Sequence, residues 1–178
     1  MEIRLSGITE ESIVDGPGLR LVIFTQGCPH QCHGCHNPDT HDINGGYTTK
    51  LEDLFRYIEK SASHNKILRG VTFSGGEPFL QAEPLAHLAK RLKSLGLDIV
   101  SYSGFTFEQL AAMAVNHKGV GQLLKQTDIL IDGLYRASER DLGLAFRGSR
   151  NQRLVDVAAT LTAGRVVLWE DSAQQIWA

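Results

Sequence analysis

The sequence has almost no charge imbalance, few cysteines and no long apolar run. Its 178 residues include 18 lysines and arginines against 20 aspartates and glutamates, a formal net charge of −2. Such a chain lacks the basic field by which proteins attract nucleic acid or an anionic membrane, so we expect it to bind neither. The longest apolar run, Leu110–Val115, is far shorter than the roughly 18 residues of a membrane span.

Length and the start of the chain set two further expectations. Residues 1–4 lack the basic start and apolar stretch of a signal peptide, which predicts a cytoplasmic protein. At about 150 residues per domain, positions 1–178 are expected to form one domain. A chain of this size buries roughly 70% of the surface that its unfolded form exposes, and it therefore needs neither disulfides nor a structural metal to fold.

Strand-like and helix-like segments alternate along the chain. The apolar segments that predict strands lie at 3–5, 19–25, 71–73, 99–102, 129–131 and 166–169. Thr49–Glu52 and Thr106–Gln109 have capping-box sequences, and each opens a predicted helix. Alternation of this kind indicates βαβ units and a parallel sheet. The chain is too short for a closed eight-unit barrel of about 250 residues, so an open partial barrel or a doubly wound sheet remains.

Glycine-rich and polar segments follow four of the predicted strands. They lie at 26–47, 74–78, 103–106 and 132–133. In both candidate folds the chemistry lies at the carboxyl ends of the strands, so these segments should meet around one site. The first of them is so long that it is expected to be functional or disordered.

All three cysteines of the chain lie in the first of these segments. Cys28, Cys32 and Cys35 have the spacing C-x3-C-x2-C, whereas a disulfide framework would spread its cysteines along the chain. The cysteines therefore indicate a metal or redox centre. Three thiols packed as small hydrophobic side chains would fit poorly in so polar a segment.

Several kinds of centre use cysteines in this way. Structural zinc sites usually draw ligand pairs from two separated segments. A thiol–disulfide centre leaves Cys28 without a role, and haem attachment at C-x-x-C-H needs no third cysteine. An iron–sulfur cluster on three thiolates leaves one iron without a protein ligand, and an open coordination position is typical of a catalytic metal. The histidines that could complete a zinc site are His30, His33, His36 and His41.

The cysteine loop and a second motif resemble the radical S-adenosylmethionine (SAM) superfamily. C-x3-C-x2-C in the loop after the first barrel strand is the signature of that superfamily, and Ser74–Pro78 (SGGEP) is similar to its GGEP motif. The resemblance implies that Cys28, Cys32 and Cys35 hold a 4Fe–4S cluster whose open iron is chelated by the amino and carboxylate groups of SAM. It also implies an α/β fold, an open partial TIM-like barrel of about five or six βα units.

The resemblance further implies which residues contact SAM. Glycines at a strand end let the backbone approach the methionine amino group, and Glu77 supplies negative charge for that ammonium. Asp132, at another strand end, is a further candidate, and no catalytic side chain is implied beyond the cluster ligands. The residues implied to contact SAM are Gly34, Cys35, His36, Gly75, Gly76 and Glu77.

Other segments are similar to the activases of glycyl-radical enzymes, namely Asp15–Arg20 (DGPGLR), Gln26–Cys28 and Cys35–Pro38 (CHNP). Three features favour the branch that activates anaerobic ribonucleoside-triphosphate reductase over the pyruvate formate-lyase branch. The chain is short, whereas formate-lyase activases are longer. The segment Phe146–Arg153 resembles the C-terminal segment of the reductase activases. Gly34 stands where most radical SAM proteins place an aromatic residue that packs on adenine, and the reductase activases resemble this chain in having glycine there. The resemblance covers about 10–155 and leaves the tail, 158–178, without a role.

One segment departs from the pattern of the formate-lyase activases. Those proteins carry an acidic residue near a cation at the place of Ser101–Phe105, which contains no carboxylate here. We therefore assign no cation site to the chain. SAM contacts from this strand are left unassigned for the same reason.

The resemblance implies that one-electron cleavage of SAM yields a radical that removes a hydrogen atom from the Cα of a glycine in a large reductase subunit. An external donor such as flavodoxin would supply the electron. No long segment after Asp132 predicts a lid, so we expect a site that stays open until a partner covers it. Arg147, Arg150 and Arg153 recur every third residue and form either a solvated face or part of the docking surface.

Two other functions stay open at the level of the sequence. One is a radical SAM enzyme that acts on a small molecule such as a deazapurine. The other is a non-enzymatic zinc-binding module. Metal content after anaerobic purification separates them, because zinc without sulfide would indicate the zinc module.

Overall fold

The protein, described from a computed structural model over residues 1–170, is built on one seven-stranded sheet. The strands, in chain order, are β1 (Glu2–Ser12), β2 (Leu19–Thr25), β3 (Tyr47–Lys50), β4 (Leu68–Gly75), β5 (Asp98–Ser103), β6 (Ile129–Asp132) and β7 (Arg153–Asp156). Positions 171–178 of the predicted tail lie outside the described residues.

The centre of the sheet is parallel and both of its edges are antiparallel. Its order is β3-β1-β2-β4-β5-β6-β7, and β2, β4, β5 and β6 run parallel to their neighbours in that series. β1 and β3 extend one edge, and β7 extends the other, each by antiparallel pairing. Within residues 1–170 the sheet does not close on itself. The result is an open α/β fold in which the predicted parallel strands form the central part.

Helices cover one face of the sheet. They are α1 (Leu51–His64), α2 (Ala82–Ser94), α3 (Phe107–Asn116), α4 (Lys118–Gln126) and α5 (Val157–Ala163), and none of these described helices is long and apolar enough to cross a bilayer. Alternate strand residues point to opposite faces, so Ile99 joins the main core beneath the helices while Val100 joins a smaller cluster on the other face. Tyr102 and Phe146 pack against that smaller cluster.

The two predicted capping boxes have different outcomes. At the start of α3, Thr106 Oγ1 accepts a hydrogen bond from the Gln109 amide and the Gln109 side chain accepts one from the Thr106 amide. The capping box predicted at Thr49 is wrong. Thr49 lies in β3 opposite Ile3, and Lys50 precedes α1 without a side-chain cap, because pairing with β1 keeps this segment extended up to the first helical residue.

The last predicted strand is also wrong. Of the segment 166–169, only Leu168 forms a bridge, opposite Val155, and the final strand of the described residues is β7. β7 has just two buried positions, Leu154 and Val155. So short an apolar pattern does not stand out in the sequence, and pairing with β6 is what makes it a strand.

A fully buried arginine ties the turn after β1 to the sheet. Arg20 donates hydrogen bonds to Thr72 Oγ1 at 2.7 Å, to the carbonyl of Val71 at 3.1 Å and to that of Pro17 at 3.0 Å. It also forms an ion pair with Asp98 at 2.6 Å. Gly18 has φ +76°, as the third position of a type II turn requires. The DGPGLR segment is therefore a turn anchored from below by its own arginine.

Removing this arginine should destabilise the whole fold. Arg20→Ala leaves Thr72 and several carbonyls without their donor, and loss of one partner of a buried ion pair costs about 3 kcal/mol at the lower end; we expect the lower end because Asp98 keeps 32% exposure. Urea unfolding of the metal-free protein measures the change. The matched control is Arg56→Ala on the exposed face of α1, where Arg56 also pairs with a carboxylate, and its midpoint should equal that of the wild type. Equal midpoints for both variants would contradict the anchoring role.

Candidate functional site

A cavity of about 740 Å³ lies at the carboxyl ends of the parallel strands. Ile13–Asp15 of the turn after β1 border it, and so do four segments that follow strands of the parallel part: the cysteine loop, the end of β4 at Ser74–Gly76, the end of β5 at Tyr102–Gly104, and residues between 133 and 152 that follow β6. These are the places where the glycine-rich and polar segments were predicted to meet. The parallel sheet brings them together because its strands all end at this edge.

All three cysteines line this cavity. Cys28, Cys32 and Cys35 are each half-buried. The loop that carries them is closed at its base by backbone hydrogen bonds from Gly27 to Thr40 and from Cys28 to His41. The Gln26 side chain crosses the same loop and donates to the carbonyls of Asp39 and Asp42 at 3.0 and 2.6 Å. The long polar segment predicted to be functional or disordered is thus an ordered loop.

The cysteines are neutral thiols that must lose their protons to bind a metal cluster. Burial raises the pKa of the Cys28 and Cys32 thiols, and the neighbouring Glu77 adds to the increase. Metal binding must therefore release these protons, since thiolates are the ligands. Within residues 1–170 no group of three or more histidine, cysteine, aspartate or glutamate side chains is set around a single ion. In an iron–sulfur cluster each thiolate binds a different iron, and three thiols spread around one cavity fit that requirement.

The glycine-rich end of β4 packs directly on the cysteine loop. The Glu77 amide donates to the carbonyl of Gly27 at 2.8 Å, and the Gly76 amide donates to that of Thr25 at 2.8 Å. A Cβ at Gly76 would lie 2.2 Å from the Gly27 carbonyl oxygen, a distance that real contacts do not reach. The glycine of the motif is therefore needed for backbone packing as well as for access to the cavity.

Glu77 is fully buried and is not among the residues that line the cavity. Its carboxylate accepts hydrogen bonds from the Phe79 amide at 3.0 Å, the Gly104 amide at 2.9 Å and the Ser103 hydroxyl at 3.0 Å. The ring of His30 contacts it at 2.9 Å. The resemblance to the radical SAM superfamily implies that this charge faces the ammonium group of SAM. In the structure the carboxylate joins the ends of β4 and β5 to the cysteine loop.

Gly34 and His36 lie beside an aromatic residue from another segment. Gly34 has φ +74°, and a Cβ there would lie 3.6 Å from the ring of Tyr135. The centroids of the His36 and Tyr135 rings are 5.0 Å apart. Tyr135 also lines the cavity, so an aromatic ring does lie next to Gly34, but it comes from the segment after β6.

Sequence analysis missed this segment. Tyr135 and most residues of 140–148 border the cavity, so the segment after β6 forms one of its walls, a role that was not predicted for it. The residues mix apolar, charged and glycine positions in irregular order, so their pattern predicts neither a helix nor a strand. Their position could have found them, because they directly follow β6 just as the other lining loops follow their strands.

Asp132 is held in a structural ion-pair network. Its buried carboxylate accepts from the Phe107 amide at 2.7 Å and from Arg153 Nε at 2.9 Å. Arg153 also pairs with Glu108 at 2.8 Å. Asp132 is absent from the lining of the cavity within the described chain. Its contacts connect the end of β6 to the start of α3 and to β7.

The three regularly spaced arginines do not share one solvated face. Arg153 is committed to two carboxylates. Arg147 lines the cavity and donates to the carbonyl of Gln152 at 2.9 Å, while Arg150 is exposed. The strand β7 begins within this segment, and the side chains point in different directions. A spacing of three residues therefore does not place the arginines on one face.

Comparison with known proteins agrees with this geometry. Residues 14–155 match the family described as a 4Fe–4S single cluster domain. The anaerobic ribonucleoside-triphosphate reductase-activating protein of Vibrio cholerae is 35% identical over 146 residues, 79% of this chain and 89% of that protein. Its counterpart in Escherichia coli K12 is 32% identical over 147 residues, 79% of this chain and 90% of that protein. The chain belongs to the radical SAM activases of glycyl-radical enzymes.

A second group of this activase family is also similar. The pyruvate formate-lyase-activating enzyme of Clostridium pasteurianum is 34% identical over 139 residues, which is 72% of this chain but 50% of that enzyme. The cofactors of the activase are a 4Fe–4S cluster and SAM. The matched span 14–155 runs from the turn before β2 into β7 and contains all the residues that line the cavity except Ile13.

The packing of Gly76 on Gly27 predicts a graded effect of one methyl group. Gly76→Ala should lower the free energy of unfolding of the metal-free activase by about 1–3 kcal/mol, the usual cost of overpacking. It should also reduce the iron bound after anaerobic reconstitution, because Gly27 adjoins Cys28. Gly7→Ala in β1, where a Cβ meets nothing within 4 Å, is the control and should stay within about 0.5 kcal/mol. Indistinguishable variants would show that the close approach is not real.

The Arg153 network predicts a pH-dependent contribution to stability. Hydrogen bonding to Arg153 lowers the pKa of Glu108 to about 2, against about 4.3 in an unfolded chain. A depressed folded pKa stabilises above the unfolded value and the contribution disappears as pH falls towards the folded one. Wild type should therefore exceed Glu108→Gln in urea midpoint at pH 6, and the two should converge as pH falls towards 2.

The matching control for this network removes the partner. In an Arg153→Met background the Glu108→Gln change should have little effect at any of these pH values, which a double-mutant cycle measures. A pH-dependent difference that persists without Arg153 would assign the effect to another group.

Proposed function

We propose that this activase generates a glycyl radical on an anaerobic ribonucleoside-triphosphate reductase. The observation that carries the proposal is the meeting of all three cysteines with the glycine-rich end of β4 around one cavity. Relatives named as activating proteins of that reductase are covered over 89–90% of their length by this chain. The formate-lyase-activating relative is covered over 50%, which favours the reductase as the partner.

In this proposal each cysteine binds one iron of the cluster. Cys28, Cys32 and Cys35 are the ligands, and Gly34, His36 and the backbone of Gly75–Glu77 contact SAM. When bound, the two cofactors supply the one-electron chemistry that removes a hydrogen atom from a glycine Cα, with SAM consumed to methionine and 5′-deoxyadenosine. The chain itself orders the thiols, offers backbone at the end of β4 and limits access of water.

The contacts of Glu77 and Asp132 favour a structural role for both carboxylates. Glu77 is buried among three neutral donors and His30, so it acts on SAM through the backbone that it organises. Asp132 accepts hydrogen bonds from the Phe107 amide and from Arg153 Nε and holds the end of β6 in place. Neither carboxylate carries the chemistry in this proposal.

The open cavity supports a macromolecular substrate. Exposed apolar side chains stand at its mouth: Ile13 is 72%, Val14 is 69% and Leu142 is 85% exposed. Apolar side chains exposed together are typical of surfaces that another protein covers. A glycine within a large subunit must approach from this side, and the segment after β6 leaves that approach open.

The open sheet corresponds to a partial barrel of the radical SAM type with about five or six βα units, in a single domain over 1–178. A flavodoxin-like donor supplies the electron in the cytoplasm. The net charge of −2 gives no basic field for nucleic acid or membranes.

Electron paramagnetic resonance tests the proposal directly. The reconstituted activase with reductant, SAM and anaerobic ribonucleoside-triphosphate reductase should give a glycyl-radical doublet, whereas pyruvate formate-lyase in the same assay should give none. Cys32→Ala should bind no cluster and give no doublet, because two thiolates remain. A doublet with formate-lyase alone would assign the activase to that partner, and normal SAM cleavage by Cys32→Ala would refute the cluster ligands.

A further inference from the structure

His30 is the side chain that connects the cysteine-bearing part of the loop to the sheet. It lies between Cys28 and Cys32, and its side chain is only 12% exposed. Its Nε2 lies 2.9 Å from Glu77 Oε2. The loop is closed below this point by the backbone bond from Cys28 to His41, so the His30 contact acts above that base, where the cysteines are.

The ring of His30 fills a slot formed by the ends of β4 and β5. It packs on the edge of Phe105 with centroids 4.5 Å apart and an interplanar angle of 70°. A Cβ at Gly104 would lie 2.4 Å from the ring. Position 104 must therefore be glycine for the ring to reach Glu77, which indicates a fitted contact between the loop and the sheet.

The hydrogen bond from His30 is one of those that stabilise the buried carboxylate of Glu77. A fully buried carboxylate needs several donors, and three of its donors, the amides of Phe79 and Gly104 and the Ser103 hydroxyl, belong to the sheet side. His30 is the donor from the cysteine loop. Losing it removes one of the donors to Glu77 Oε2, which keeps those of Gly104 and Ser103, and it removes this side-chain tie between the loop and the sheet.

The backbone next to His30 is held in an uncommon conformation. Gln31 has φ +47°, in the left-handed region that side chains other than glycine seldom occupy. Such a conformation persists only where the surroundings hold it. The contact between His30 and Glu77 lies next to Gln31 and can hold its backbone in this conformation.

We propose that His30 is a positioning residue for the cluster, acting through Glu77. It ties the segment between Cys28 and Cys32 to the ends of β4 and β5 and so sets where these two thiolates stand relative to the SAM-binding backbone. The proposal rests on the proposed binding of the cluster by the three cysteines. Residues that hold metal ligands in place typically affect metal affinity or activity by about 10–100-fold when replaced.

Four variants test the proposal. His30→Ala removes the contact with Glu77, and His30→Gln keeps a hydrogen-bond donor at a similar position. Gly104→Ala displaces the His30 ring although no residue of the cysteine loop is replaced. His33→Ala, an exposed histidine of the same loop, is the matched control. Each protein is reconstituted anaerobically, and the rate of iron loss to a chelator and the electron paramagnetic resonance spectrum of the reduced cluster with and without SAM are recorded.

His30→Ala and Gly104→Ala should lose iron about tenfold faster than wild type and need more SAM to change the spectrum. His30→Gln should recover most of the wild-type rate, a rescue that loss of ring packing alone would not permit. His33→Ala should behave as wild type. Circular dichroism of each metal-free variant checks that it is folded.

The outcomes separate this inference from the function on which it rests. If wild type forms no cluster, the proposed function fails. If wild type and His33→Ala form a stable cluster and His30→Ala matches them in iron loss and spectrum, the function stands and the positioning role is wrong. His30→Gln as damaging as His30→Ala would overturn the hydrogen bond to Glu77 as the cause.

Discussion

The structure depends on close backbone contact between the cysteine loop and the end of β4. The carbonyl of Gly27 accepts the Glu77 amide, and only a glycine fits at position 76 beside it. This contact sets one thiol-bearing loop and one glycine-rich strand end around the same cavity. Because both partners are main chain, the arrangement tolerates little adjustment, and a single added methyl group must move a strand end or a loop.

Buried charged groups then fix the strand ends around this contact. Glu77 joins β4 and β5 to the loop, Arg20 anchors the turn after β1, and Asp132 with Arg153 links β6 and β7. Removing a partner from such a group costs more than the pair contributes, since the remaining charge is left without a donor or acceptor. These groups specify where the loops stand rather than adding much net stability.

One side of the cavity is open and the other is bordered by the segment after β6. Tyr135 lies beside Gly34 and His36, while Ile13, Val14 and Leu142 are exposed at the mouth. The segment restricts the cavity near the third cysteine without sealing it. This asymmetry suits an activase, which must shield its reacting groups and still admit a residue of a second protein.

Patterns in the sequence alone predict the cysteine centre, the alternation of strands with helices and the glycine-rich strand ends. Those features are local: cysteine spacing, apolar runs such as 129–131 and the capping box at Thr106 depend on neighbouring residues alone. Three other features follow from long-range contacts: Glu77 is buried away from the cavity, Thr49 belongs to a strand, and Tyr135 lies beside Gly34. Each of these depends on pairing or packing between distant segments, about which local patterns carry no information.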